Sequence, residues 1–259
     1  MAESCLRFSG VAKRFGKGPT AITAVQDVNI EVATGEFVAL IGPSGCGKST
    51  LLNMASGLDR TSEGEVFVEG EKVNGPNAHV AFMLQKDLLL PWRTIRKNVE
   101  FGQEIQHVPA AERTRRAELL LKKYQLGEVM DFYPHQLSGG MRQRAALART
   151  MVMEPRLLLL DEPFSALDAQ TKMILQQDLA RTLAEGGRTA LLITHDLDEA
   201  VALADRVLVM SRRPGRITHE IIVELPERAN PIARRQMPEI TKYTKQLMEL
   251  LDIGHGLDH

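Results

Sequence analysis

A run of five apolar residues, Phe37-Val38-Ala39-Leu40-Ile41, opens directly onto Gly42-Pro43-Ser44-Gly45-Cys46-Gly47-Lys48-Ser49-Thr50, and this junction restricts the fold more than any other stretch. The apolar run has the character of a buried parallel strand, and Ser49-Thr50-Leu51-Leu52 can propagate a helix, so the glycines fall at a strand-to-helix turn. Gly42, Gly45 and Gly47 allow backbone N–H groups to curl around phosphate oxygens with no Cβ in the way, and the following helix adds a positive dipole end. Lys48 is placed to reach the β- and γ-phosphates, and Ser49 to give a hydroxyl to the Mg²⁺ that travels with the nucleotide. The stretch from Gly42 to Thr50, with Pro43, Ser44 and Cys46 inside it, is therefore expected to bind a nucleoside triphosphate. A glycine-rich turn with a chance lysine does not account for the full G-x-x-x-x-G-K-S pattern in this setting.

Four apolar runs end in a polar group: Phe37–Ile41 in the phosphate loop, Val80–Leu84 in Gln85, Leu157–Leu160 in Asp161-Glu162, and Ala190–Thr194 in His195. Ligands of open α/β sheets sit at the carboxyl ends of the strands, so these groups are predicted to converge. Asp161 then holds the metal through its water shell, and Glu162 polarises the attacking water. His195 either donates to the γ-phosphate and the water or is an ordinary histidine at a strand end. Gln85 is either a metal and water ligand or a surface amide. Leu137-Ser138-Gly139-Gly140-Met141 opens a second helix, where Ser138 reads as an N-cap and the glycines as a second anion-binding terminus. A simple capped helix is the competing account. Two phosphate-seeking helix ends with one acid pair suggest that each completes a site on a neighbouring copy.

The rest of the chain gives these motifs a frame. Its 259 residues, 44% of them hydrophobic, suffice for one large α/β domain or two small ones. Leu6–Phe15 and Ile22–Val32 alternate like strands of an antiparallel sheet, with a turn at Gly16–Pro19. From Gln85 to Leu157 the spacing becomes helical. There Ala117, Leu120, Leu121 and Tyr124 share one face, and the arginines and lysines around them read as a solvated face, while Arg142, Arg144 and Arg149 fall outside the core face of the next helix. Ile232–Leu251 reads as one packing helix. A net charge of -1 from 32 basic and 33 acidic residues leaves no global footprint for nucleic acid. Two cysteines, Cys5 and Cys46, fit a reducing compartment. The first five residues do not resemble a signal peptide, and no apolar run approaches membrane-spanning length, so any membrane role is expected to come through a partner. No internal repeat is found. Cys46, at a helix start, is a candidate reactive thiol whose alkylation would block the nucleotide.

Together these residues resemble the ATP-binding cassette family over nearly the whole chain. Gly42 to Ser49 is similar to its Walker A motif, Gln85 to its Q-loop, Leu137 to Met141 to its signature, and Leu157 to Asp161 with Glu162 to its Walker B. Ser165-Ala166-Leu167-Asp168 resembles the D-loop and His195 the switch histidine, all in the family's order. The resemblance implies a phosphate-loop NTPase (RecA-like) α/β core with an antiparallel β subdomain and an inserted α-helical signature subdomain. The bounds are about 88–155 for the insert and about 226–259 for a short helical tail, within a single nucleotide-binding domain over 1–259. It implies ATP and Mg²⁺, with Lys48, Gln85, Glu162 and His195 in catalysis and Ser49, Gln85 and Asp161 at the metal. Two copies would sandwich two ATP molecules, each between one phosphate loop and the other copy's Ser138-Gly139-Gly140. Phe15 stands where the family stacks an aromatic on adenine, a core phenylalanine being the alternative. Met141 replaces a frequent glutamine, and intact Ser138 and glycines imply that γ-phosphate recognition survives.

Leu88-Leu89-Leu90-Pro91-Trp92 follows Gln85, where the family docks a membrane subunit; a buried core corner is the other reading. With Thr94-Ile95, Asn98-Val99 and Arg213-Pro214-Gly215-Arg216-Ile217, it resembles the nitrate, sulfonate and taurine importer branch. That implies the ATPase subunit of an importer, peripheral on the cytoplasmic membrane face, with a separate permease and a substrate-binding protein. The absence of a sizeable C-terminal domain argues against the sugar-importer type with its added regulatory module. A soluble cassette in DNA repair or translation is the alternative, and a different phosphate-loop enzyme such as a kinase is a third.

Overall fold

The computed structural model describes residues 4–252. In chain order its elements are β1 (Ser4–Phe15), β2 (Ile22–Ala33), β3 (Phe37–Ile41), α1 (Lys48–Ala55), β4 (Glu63–Val68), β5 (Glu71–Lys72) and β6 (Val80–Met83). There follow α2 (Ile95–Ile105), α3 (Ala110–Lys123), α4 (Gly139–Met151), β7 (Leu157–Asp161), α5 (Ala169–Gly186) and β8 (Thr189–Ile193). The chain continues through α6 (Leu197–Leu203), β9 (Arg206–Met210), β10 (Ile217–Ile222), α7 (Pro231–Arg235) and α8 (Glu239–Leu250). Four strands form an antiparallel sheet in the order β2-β1-β4-β5, and six form a second sheet in the order β10-β9-β3-β8-β7-β6. In the second sheet only β10 runs antiparallel to its neighbour.

The buried strands β3, β7 and β8 divide their side chains by parity, as a period of two requires. Leu158 and Leu160 face the helices α2, α3, α4 and α5 through Ile95, Val99, Leu121, Leu147 and Leu179. Leu157 and Leu159 face the opposite layer, where Leu51, Leu52 and Met54 of α1 meet Leu6, Phe8 and Val28 of the antiparallel sheet. Ala39, Ile41, Val207 and Val209 cover α6 and α8. Each fully buried leucine contributes about 1.5–3 kcal/mol, so both faces hold the strands in register.

Two expectations need correction. Residues 232–251 are not one helix: Pro238, which has no N–H and disfavours helix in the residue before it, separates α7 from α8. The part of the expected tail at 253–259, like Met1–Glu3, lies outside the described residues. The arginines beyond Gln85 are also not a bare solvated face. Arg113 reaches the buried Glu100 carboxylate at 3.4 Å, and Arg142 pairs with Asp87 at 3.1 Å. Arg149 donates to the carbonyls of Asp87 and Leu88 at 2.6 and 2.7 Å. The residue pattern of a helix marks a polar side chain but not the loop that folds over to accept from it.

A partly buried charge cluster centred on Glu199 ties the start of α5 to the start of α6. Asp168 and Asp196 cap these helices, accepting from Thr171 N at 3.0 Å and Glu199 N at 2.9 Å. Lys172 Nζ lies 2.7 Å from Asp196 and 2.6 Å from Glu199, and Gln176 donates to Glu199 at 3.0 Å. Burial pushes the Glu199 carboxyl above its ordinary range, and the Lys172 ammonium only partly opposes it. Burial also acts on Asp196, but Lys172 and the Glu199 N–H carry that carboxyl below its usual value.

Lys172→Met is therefore expected to destabilise the fold at neutral pH by roughly 3 kcal/mol, the low end for breaking a buried pair, because Lys172 keeps some solvent contact. Without the ammonium, Glu199 titrates still higher in the folded state. The deficit relative to the parent is thus full at neutral pH and shrinks as pH falls toward the ordinary glutamate value of 4.5. Chemical denaturation of both proteins across that range measures it.

Candidate active site

The parallel register sets the strand ends side by side: Met83 pairs with Leu160, Asp161 with Ile193, and Leu40 with Ile193. A cavity of about 460 Å³ opens over them, walled by the phosphate loop, Gln85, Asp161, Glu162, Phe15 and Arg213. That volume is of the size that takes a nucleotide-sized ligand.

The loop closes tightly beneath this space. Gly47 has φ 110°, and a Cβ there would lie 2.4 Å from Val25 Cγ1, so only glycine fits. Lys48, the first residue of α1, turns its ammonium back onto the loop and donates to the carbonyls of Gly42 and Pro43 at 2.7 and 3.0 Å. Ser44, Gly45, Gly47, Lys48, Ser49 and Thr50 line the cavity. Gly42, Pro43 and Cys46 do not; the first two serve through the carbonyls that hold Lys48. The reactive-thiol expectation for Cys46 is overturned, because its side chain is 1% exposed and packs into the core with Val25 and Met210.

Asp161 ends β7 as a buried carboxylate. Burial raises its pKa, the Ser49 hydroxyl that hydrogen-bonds to it draws the value down, and the neighbouring Glu162 raises it again. A hydroxyl and a carboxylate joined in this way are hard oxygen donors, and a divalent cation between them would offset the cost of the buried charge. Among the described residues no cluster of three or more His, Cys, Asp or Glu side chains forms a metal cage. The Ser49 hydroxyl and the Asp161 carboxylate form a donor set that suits a metal keeping water and phosphate ligands, as Mg²⁺ does.

Glu162 leaves the strand with φ 47°, the left-handed region that non-glycine residues rarely occupy. Its N–H is held by Ile193 O at 3.0 Å. Gln85 Nε2 donates to Glu162 Oε2 at 3.2 Å, and His195 Nδ1 lies 3.5 Å from the same oxygen. Gln85 and His195 thus meet on one carboxylate, and neither stands as an isolated surface group. Phe15 is 46% exposed on the cavity wall, with Lys13 Nζ 5.0 Å from its ring centroid, so it is not a core phenylalanine.

Ser138, Gly139 and Gly140 are not brought to this cavity. Ser138 caps α4 by accepting from Met141 N at 3.3 Å, and Gly140 packs against Leu167 and Ala166. Trp92 is 70% exposed, which removes the core-corner reading. Buried Asn98 holds the turn before it, accepting from Leu90 N at 2.7 Å and donating to the carbonyls of Leu90, Arg93 and Thr94 within 3.1 Å. Sequence reasoning missed Arg213, Ile22 and Ala24 on the cavity wall. Their approach is set by the β3–β9 pairing and the antiparallel sheet, and no local motif signals it.

The family profile described as ABC transporter matches residues 25–165. An uncharacterized ABC transporter ATP-binding protein of Methanocaldococcus jannaschii is 42% identical over 95% of this chain and 91% of its own length. The aliphatic sulfonates import ATP-binding protein of Xanthomonas axonopodis pv. citri is 46% identical over 87% of this chain and 88% of its own. The nitrate import ATP-binding protein of Synechocystis sp. is 42% identical over 89% of each. A solved dimeric post-hydrolysis state of an ATP-binding cassette, bound to ADP and Pi, superposes with a TM-score of 0.78 at 32% identity, covering 85% of this chain and 99% of that one. With a phosphate loop, an acid pair and a strand-end glutamine around one cavity, and a strand-end histidine beside the second acid, the chain belongs to the ABC transporter family and is one of its ATPase cassettes.

Proposed function

We propose that this chain is the ATP-hydrolysing subunit of an importer for a small anion of the nitrate, sulfonate or taurine kind. It works as two copies beneath a separate permease that a substrate-binding protein supplies. The observation that carries the reading is the division of the motifs: Gln85 and Glu162 line one cavity with the phosphate loop, and His195 stands 3.5 Å from the Glu162 carboxylate, whereas Ser138, Gly139 and Gly140 do not line that cavity. A second copy would bring that end over the nucleotide. The solved relative named as dimeric and the import names of the sulfonate and nitrate relatives support this assembly. A role in DNA repair or translation draws no support from those names.

In this mechanism the loop N–H groups receive the phosphates, Lys48 exchanges the Gly42 and Pro43 carbonyls for phosphate oxygen, and Phe15 stacks on the base. Ser49, Asp161 and Gln85 would hold Mg²⁺, which supplies charge neutralisation at the phosphates. Glu162 takes a proton from the attacking water while Gln85 and His195 fix the orientation of its carboxylate. Residues from about 88 to 155 act as the arm that carries Ser138. Among the described residues no helix is long and apolar enough to cross a membrane. The turn at Leu88–Trp92, which exposes Leu88 and Trp92 over the buried Leu89, is then the surface that meets the permease at the cytoplasmic face.

Glu162→Gln is expected to bind ATP, accumulate as a dimer on size-exclusion chromatography and lose hydrolysis by ~10²-fold or more; turnover at the parent rate refutes the base assignment. Asp161→Asn removes a carboxyl whose pKa is raised by folding. The parent's penalty is absent below the ordinary aspartate value of 3.8, grows as pH rises through the folded value, and is full at neutral pH. The variant should therefore be more stable than the parent at pH 7 without nucleotide, by on the order of 1 kcal/mol, while losing hydrolysis. Calorimetry and a phosphate-release assay measure the two effects. Co-expression with a candidate permease of the sulfonate or nitrate importer type should yield a complex that Trp92→Ala weakens with ATP binding intact; recovery of DNA or ribosomes in its place refutes the importer reading.

A further inference from the structure

We infer that Arg213 is a nucleotide-binding residue whose guanidinium grips the polyphosphate of the bound nucleoside di- or triphosphate from the β9–β10 turn. This rests on reading the cavity as the nucleotide site. Arg213 lines that cavity together with Ser44, Gly45 and Phe15. Its Nε and Nη2 donate to the Gly45 carbonyl at 3.3 and 3.1 Å, so it already lies across the loop expected to hold phosphate. Among the described residues no carboxylate forms an ion pair with it. Phosphate oxygens would replace one neutral carbonyl by charge-assisted bonds to a planar fork with donors to spare, the chemistry for which arginine is suited.

The turn is built to keep the side chain there. Gly215 donates to Ala24 O at 2.9 Å and accepts from Gln26 N at 3.0 Å, which ties the turn to the strand carrying the cavity residues Ile22 and Ala24. It packs so closely on the phosphate loop that a Cβ would lie 2.1 Å from Cys46 O. Ser211 closes the turn by accepting from Arg216 N at 3.0 Å and donating to the carbonyls of Arg212 and Pro214 at 3.0 and 3.2 Å. Arg213 therefore approaches the loop from a segment packed against the loop at Cys46 and hydrogen-bonded to the strand that carries Ala24.

The test measures affinities of the full chain for ATP, ADP and inorganic tripolyphosphate by displacement of a fluorescent ATP analogue, together with steady-state kinetics. Arg213→Ala is expected to weaken all three ligands by roughly tenfold to a hundredfold, the range for hydrogen bonds to a charged group. It should raise KM and leave kcat at saturating ATP close to the parent value. Arg213→Lys should recover part of the affinity. Should Arg213→Ala fail to fold, Arg213→Gln, which keeps a donor for Gly45 O without the charge, is read in the same assay with the same expectation. Unchanged affinities with a lowered melting temperature would make Arg213 a structural brace and overturn the inference. Weakened ATP with unchanged tripolyphosphate would place the contact on ribose or base and overturn it too. Lys48→Ala separates the two levels: if it binds ATP like the parent, the nucleotide reading of the cavity fails, whereas loss there with full binding in Arg213→Ala sinks only the arginine.

Discussion

The parallel hydrogen-bond ladder through β6, β7, β8 and β3 is the constraint from which the rest of the molecule follows. Each pair is locked because leucines and valines fill both faces of the sheet, so a slip of one residue would turn an entire strand's apolar set toward the wrong layer. The same register brings the phosphate loop, Gln85, the Asp161-Glu162 pair and His195 to one edge. Packing energy spent on hydrophobic burial thus fixes the positions of polar groups that contribute nothing to that burial. The catalytic arrangement is a by-product of core registration.

What sits at that edge works against stability. Asp161 is a buried acid, and Glu162 adopts a left-handed backbone that costs of order 1–3 kcal/mol. The surrounding strands over-determine both. Charge networks differ in kind: in the Lys172 cluster both Asp196 and the buried Glu199 are answered by the ammonium, whereas among the described residues Asp161 makes no ion pair, and Lys48, whose charge acts on it, is committed to loop carbonyls.

The strands and the cavity's main residues were legible because fully buried parallel strands read as short apolar runs, and because each ends in the polar residue that matters. The boundaries of β3, β7 and β8 follow from that alone. The break at Pro238 is legible too, because a proline interrupts the apolar spacing of Met237, Ile240 and Leu247. The partners of Arg142 and Arg149 were not, since the acceptors are backbone carbonyls and one aspartate in a loop that only tertiary packing lays across α4. Nor was the outward pose of Trp92, which depends on Asn98 gathering the preceding turn. Arg213 was invisible for a further reason: its neighbour Gly45 is brought near by strand pairing, a relation with no local signature.

Both thiols of the chain are sealed, Cys5 in the antiparallel sheet and Cys46 under the phosphate loop. Burial pushes the Cys5 thiol up to about 12, which leaves it a poor nucleophile at physiological pH. The protein is consequently a native blank for site-directed labelling. A cysteine introduced at a surface position such as Ser138 or Trp92 would be the sole thiol facing solvent, so spin or fluorophore pairs can report distances between copies without first stripping the background.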